Sequence, residues 1–255
     1  MLLAVDIGNT NITLGIFDGE IPGPRLRLAA NPVRTTDEYG LVMLDFFRRA
    51  SVSAGDIYAI VLGSVVPELT STFAEACQNY LRRQPFVADG MMKTGLRSMY
   101  DDPRQLGVDR LVNATAVYTL YGGPACVIDF GTATTFDAVS AEGCYLGGAI
   151  APGINIAAES LFMRASKLPR VDYKRPVSAI GRNVRQSLQS GLMYGYTGLT
   201  EGLIARFRAE LGPNAKVVAT GGLAGIVSEE TAAIDILAPW LMLDGLRIVY
   251  YMNNY

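Results

Sequence analysis

The chain has 255 residues, half of them apolar and 18% charged, with a formal net charge of −2. That balance excludes a disordered chain, and the slight acidity, without a basic block at either end, argues against nucleic acid as a partner. No apolar run approaches the roughly 20 residues of a membrane span, so no membrane partner is expected and the expected location is cytoplasmic.

Met1–Val5 is apolar but stops at Asp6 without a basic flank, so it reads as a first strand and not as a leader. Strand Leu2–Asp6 leads through a Gly-Asn turn into strand Thr13–Phe17, and Asp18-Gly19 signals a hairpin. Thr35 with Glu38 forms a capping box, and Leu41, Leu44 and Phe47 follow at helical spacing. Tyr58–Val66 predicts a buried strand ended by Pro67, and Leu69–Leu81 and Asp109–Leu120 predict helices. Ala125–Phe130, Thr134–Ser140 and Tyr145–Ile150 read as three successive strands. A helix over Ile154–Ser166 follows, with Pro169 beyond its end. Asn183–Leu211 reads as a helical stretch interrupted by Gly191, Gly195 and Gly198. A strand Lys216–Ala219 and a terminal helix Leu243–Met252 complete the chain.

The pattern repeats. Val5-Asp6-Ile7-Gly8-Asn9-Thr10 matches Ile128-Asp129-Phe130-Gly131-Thr132-Ala133, with Asp6 and Asp129 123 residues apart, about half the chain. Two copies of a strand–turn–strand unit predict two similar α/β domains, residues 1–115 and 116–255, with a cleft between them.

Each copy carries chemistry-bearing residues. In Asp6-Ile7-Gly8-Asn9-Thr10-Asn11 a glycine turn lets a phosphate approach the backbone, and Asn9, Thr10 and Asn11 add neutral donors. Asp6 supplies one hard oxygen for a Mg²⁺ that keeps most of its waters. A plain β-hairpin with Asp and Asn as turn formers explains the same residues. Asp129-Phe130-Gly131-Thr132-Ala133-Thr134-Thr135 repeats the geometry with more hydroxyls, and two such loops are expected to converge on one nucleotide phosphate. Thr220-Gly221-Gly222 follows a strand, where a flat ligand could lie against the backbone; most Gly-Gly pairs are only loops.

In Gly107-Val108-Asp109-Arg110, Asp109 is either a capping residue or a carboxylate general base, and Arg110 either a solvated helix charge or a cation for an acidic substrate. Histidine is absent, so a base must be a carboxylate, Lys, Tyr or Cys, and metals must be hard cations on oxygen ligands. Cys77, Cys126 and Cys144 lack metal-site spacing and read as reduced thiols.

In this order and spacing, Asp6-x-Gly8-Asn9-Thr10-Asn11, Gly107-Val108-Asp109-Arg110 and Asp129-Phe130-Gly131-Thr132-Ala133-Thr134-Thr135 resemble type III pantothenate kinases. Tyr100-Asp101-Asp102-Pro103-Arg104, Gly147–Ile154, Lys167–Val171, Gly181-Arg182-Asn183, Ala219–Leu223 and Gly245-Leu246-Arg247 extend the likeness nearly end to end. The resemblance implies an actin-like (ribonuclease H-like) α/β fold of two duplicated domains, each a mixed sheet flanked by helices. It implies transfer of the ATP γ-phosphoryl group to the primary hydroxyl of pantothenate, the first step of coenzyme A synthesis. Asp6, Ile7, Gly8, Asn9, Thr10, Asn11, Ile12 and Thr13 would bind ATP phosphates, and Thr132 would contact ATP. Asp109 would accept the proton, and Tyr100, Gly107, Val108, Asp109 and Arg110 would contact pantothenate. Asp129 would hold a monovalent cation, K⁺ or NH₄⁺. Family members are homodimers whose site is completed at the subunit interface, and some relatives were first described as transcriptional accessory factors, which makes a non-catalytic regulator the rival reading. One residue departs from the family pattern: Val184 stands where Thr usually follows Gly-Arg-Asn and hydrogen-bonds the substrate.

Overall fold

The computed structural model describes residues 1–165 and 167–254. The chain opens with strands β1 (Leu2–Ile7), β2 (Asn11–Asp18) and β3 (Ile21–Ala29). Helix α1 (Thr36–Arg49), β4 (Ala59–Ser64), α2 (Pro67–Leu81), β5 (Phe86–Val87) and β6 (Arg97–Ser98) follow. Next come α3 (Val108–Tyr121), β7 (Ala125–Phe130), β8 (Ala133–Val139), β9 (Cys144–Pro152) and α4 (Ile154–Arg164). The last elements are α5 (Val184–Leu211), β10 (Lys216–Thr220), α6 (Ala224–Ser228), β11 (Ile236–Leu237) and α7 (Leu241–Asn254). Ser166, the expected end of the fourth helix, lies outside the described residues.

The chain divides into two compact units. One holds residues 1–95, 102–116 and the segment from Met242 onward; the other holds 96–101 and 117–241. These units differ from the division 1–115 and 116–255 chiefly in returning the terminal helix to the first.

The first unit is built on the sheet β3-β2-β1-β4-β5. β1 pairs antiparallel with β2 and parallel with β4, which places Asp6 opposite Thr13 on one side and Gly63 on the other. β1 is buried on both faces. Leu3, Val5 and Ile7 join Tyr39, Met43 and Phe47 of α1 and Leu69 and Phe73 of α2 in one core. α7 covers the other face through glycine gaps. A methyl on Gly15 would lie 2.8 Å from Leu243, and one on Gly63 would lie 2.8 Å from Leu246 and Met242. On its other side α7 meets α3, where a methyl on Gly245 would lie 2.6 Å from Val112.

Local signals account for the elements. Thr35 caps α1 and Glu38 caps back, as the sequence predicts. Pro67 opens α2 at a position where its missing N–H costs nothing. The Asp18-Gly19 hairpin signal is borne out by β3, although Pro22, Gly23 and Pro24 interrupt the strand's own pattern. It survives as the edge strand, with a bulge opposite Ile16, where proline removes no ladder bond that the sheet needs.

The second unit repeats the plan. Its sheet runs β11-β10-β7-β8-β9-β6. β7 pairs antiparallel with β8 and parallel with β10, so Asp129 faces Thr135 and Thr220 as Asp6 faces Thr13 and Gly63. The core packs Ile128, Phe130 and Val217 of the sheet against Met193, Tyr196 and Ile204 of α5. α5 is one continuous helix of 28 residues. Its four glycines, Gly191, Gly195, Gly198 and Gly202, do not break it: each costs about 1 kcal/mol against alanine, but the opposite face is buried and tertiary packing outweighs propensity. The duplicated 3-2-1-4-5 strand order, flanked by helices, is the actin-like α/β fold.

Candidate active site

In the first unit the β1–β2 turn is closed by the Gly8 N–H donating to the Asn11 carbonyl at 2.9 Å. Asn9, Thr10 and Asn11 are exposed, whereas the Ile7 and Ile12 side chains lie in the core and Thr13 is buried. The surface open to a ligand is therefore the backbone of the turn, the three polar side chains and the partly exposed Asp6 carboxylate.

The Gly107-Val108-Asp109-Arg110 segment is the first turn of α3. Asp109 Oδ1 accepts the Arg110 N–H at 2.9 Å, and a carboxylate there complements the positive end of the helix. Gly107 makes room for it, since a methyl on that residue would lie 2.5 Å from Asp109 Oδ1. Arg110 is only 6% exposed, which removes the reading as a solvated helix charge. The seat of α7 on α3 through Gly245 fixes the helix that carries both residues. The sequence shows Gly245 as a motif letter without showing this contact.

In the second unit several elements meet around Asp129. The Gly131 N–H donates to the Ala133 carbonyl at 3.1 Å, and the Gly153 N–H to the Thr132 carbonyl at 3.1 Å. Thr132 is exposed and Asp129 partly so. Gly153 caps α4 and presses on the loop so closely that a methyl there would collide with the carbonyls of Gly131 and Thr132. Gly221, at φ +95°, presses on Asp129 from β10. The Tyr196 hydroxyl bonds Thr134 and donates to the Pro152 carbonyl at 3.0 Å, tying both ends of this region to α5. Burial pushes the Tyr196 phenol up, so it stays protonated. Tyr196 carries no sequence signal beyond an apolar helical position.

Tyr100 belongs to the second unit, following β6. Its ring lies 6.0 Å from that of Tyr145, whose hydroxyl donates to the buried Asp137 at 2.6 Å. Val184 is the first residue of α5, 49% exposed, beside the capping residue Asn183. It lines an open pocket of about 510 Å³ with Leu168, Gly181, Arg182, Asn183 and Leu188. Gly181 packs on the backbone of that helix turn, where a methyl would lie 2.7 Å from Ser187 Cα. The three cysteines are free, and burial pushes the Cys77 and Cys126 thiols up to about 12.

The duplicated sheets and the Asp-x-Gly turn at the head of each place the chain in the actin-like fold class. Among solved structures the chain is similar to a conserved Baf family protein from Campylobacter jejuni, with TM-score 0.63 and 20% identity over 98% of both chains. It is also similar to a protein described as a 2-dehydro-3-deoxygalactonokinase from Sinorhizobium meliloti, with TM-score 0.56 and 13% identity over 98% of both. At these identities the likeness shows the fold alone. The type III pantothenate kinase family profile matches residues 2–206. The chain is 52% identical to the type III pantothenate kinase of Moorella thermoacetica over 100% of both chains. It is 48% identical to that of Myxococcus xanthus over 100% of this chain and 99% of the relative. The chain therefore belongs to the type III pantothenate kinase family.

Proposed function

We propose that the chain transfers the γ-phosphoryl group of ATP to the primary hydroxyl of pantothenate, giving 4'-phosphopantothenate for coenzyme A synthesis. The observation that carries this reading is the full-length relationship to type III pantothenate kinases. The acids Asp6, Asp109 and Asp129, each at the partly exposed end of an element, are consistent with it.

Phosphoryl transfer asks a protein mainly to position reactants and offset charge. The exposed amides and hydroxyl of Asn9, Thr10 and Asn11 and the Gly8 turn suit ATP phosphate oxygens, as Thr132 does in the second loop. Asp109 holds one carboxylate oxygen on the Arg110 N–H, so its other oxygen is the one to orient and receive the proton of the pantothenate hydroxyl. Buried Arg110 supplies a fixed positive charge one residue away, and Tyr100 supplies a half-exposed ring and hydroxyl for the substrate.

Asp6 and Asp129 are single carboxylates, and among the described residues no group of three acid or thiol side chains gathers to hold a metal. That donor set fits hard cations that keep waters and share phosphate oxygens, Mg²⁺ at Asp6 and K⁺ or NH₄⁺ at Asp129. When bound, such cations offset negative charge on the phosphates. We further propose a homodimer that completes the site at its interface, and a cytoplasmic location; no helix among the described residues is long and apolar enough to cross a membrane.

The test is to incubate the protein with ATP and pantothenate and follow both products by mass spectrometry. Phosphopantothenate appearing with ADP is the expected result; ATP consumed without it overturns the reading.

A further inference from the structure

We infer that Gly221 is a positioning residue, whose missing side chain forms the seat that fixes the Asp129 carboxylate. β10 runs parallel to β7 with Thr220 opposite Asp129, so the chain leaves the sheet at Gly221 directly against the acid. A methyl on Gly221 would lie 2.5 Å from Asp129 Oδ1 and 2.6 Å from Phe130 N. Turning the carboxylate would not clear the Phe130 backbone, so an alanine would push the chain after β10 away from β7 and take Asp129 out of its seat. Gly221 also holds φ +95°, where L side chains are strained.

The first repeat shows that the fold itself does not demand this glycine. There Gly63 stands opposite Asp6, and the next residue is Ser64, which carries a side chain bonded to Thr70 at 2.7 Å. The glycine requirement belongs to the second loop. A carboxylate held in one rotamer before its partners arrive need not lose that freedom on binding, which strengthens a small ionic site.

The inference rests on the reading of Asp129 as the acid that holds the monovalent cation, and the experiment separates the two. The binding of a non-hydrolysable ATP analogue is titrated calorimetrically with Mg²⁺, in KCl and in choline chloride, alongside the unfolding midpoint of each variant. Wild type and the control Gly225→Ala, whose added methyl meets open space, should bind more tightly in KCl. Asp129→Ala should lose that K⁺ advantage, binding roughly tenfold more weakly in KCl if one charge-assisted contact is removed. Gly221→Ala should lose it equally, and the double variant should bind no more weakly than Asp129→Ala alone. Asp129→Glu decides the matter if Gly221→Ala does not fold: a longer side chain carries its carboxylate past the seat beside Gly221 and should behave like alanine. A K⁺ advantage retained in Gly221→Ala or in Asp129→Glu overturns the positioning role. Retention in Asp129→Ala overturns the cation reading itself, and the positioning role with it.

Discussion

The two repeats share a strand order and an Asp-Gly turn, but they treat that turn differently. In the first, a methyl on Gly8 would meet only the Asn11 carbonyl, at 3.3 Å, and three polar side chains stand exposed. In the second, the turn is gripped from α4 by Gly153, from β10 by Gly221 and from α5 by Tyr196. The first repeat offers donors and, on α3, the candidate base. The second offers a carboxylate and a carbonyl-rich loop that its neighbours pack closely. Duplication supplies two turns of one shape, and the surroundings pack one more closely than the other.

Breaking the comparison starts with chemistry. Asp109→Asn is nearly isosteric in a partly exposed helix turn, so the unfolding midpoint should stay and kcat should fall by ~10²–10⁴-fold. Turnover within about threefold of wild type would remove Asp109 as the base. Packing comes next. Gly153→Ala drives a methyl into two carbonyls and should cost about 1–3 kcal/mol in urea unfolding, whereas Gly8→Ala should cost less than about 1 kcal/mol. Equal losses would mean that the two turns are not held differently. Exchange of K⁺ for Na⁺ should lower the rate of wild type and leave Asp129→Ala indifferent. Identical wild-type rates in K⁺, Na⁺ and choline would dispose of the cation site. The smallest effect concerns Val184. Val184→Thr should lower the pantothenate KM by up to about tenfold, about 1.4 kcal/mol, with the KM for ATP little changed. An equal or higher value would show a pocket repacked around valine.

Most of the fold was legible because the repeat is written in strong local signals: an apolar strand, Asp-x-Gly, then a second strand, twice. What escaped was decided by position in the finished sheet. The Asp18-Gly19 turn announces a hairpin, but Pro22 and Pro24 hide the length of its second strand, which an edge position tolerates. Gly191, Gly195 and Gly198 read as interruptions, yet burial of Leu192, Met193 and Tyr196 carries the helix through. β5, β6 and β11 have two residues each, too few for any period to show. The terminal helix is legible as a helix, but nothing local says that Leu243 and Leu246 belong in gaps at Gly15 and Gly63. The site divides the same way. Its acids and turn glycines stand out by motif. The roles of Gly107, Gly153 and Gly221 lie in side chains that are absent, and those show only when the neighbours are in place.

The most direct measurement is a coupled ADP-release assay with ATP and Mg²⁺, run with and without pantothenate and with K⁺ replaced by choline. The account predicts ADP release that requires pantothenate, saturates with it and falls when K⁺ is withdrawn. ADP release that ignores pantothenate, or none under any of these conditions, would contradict it.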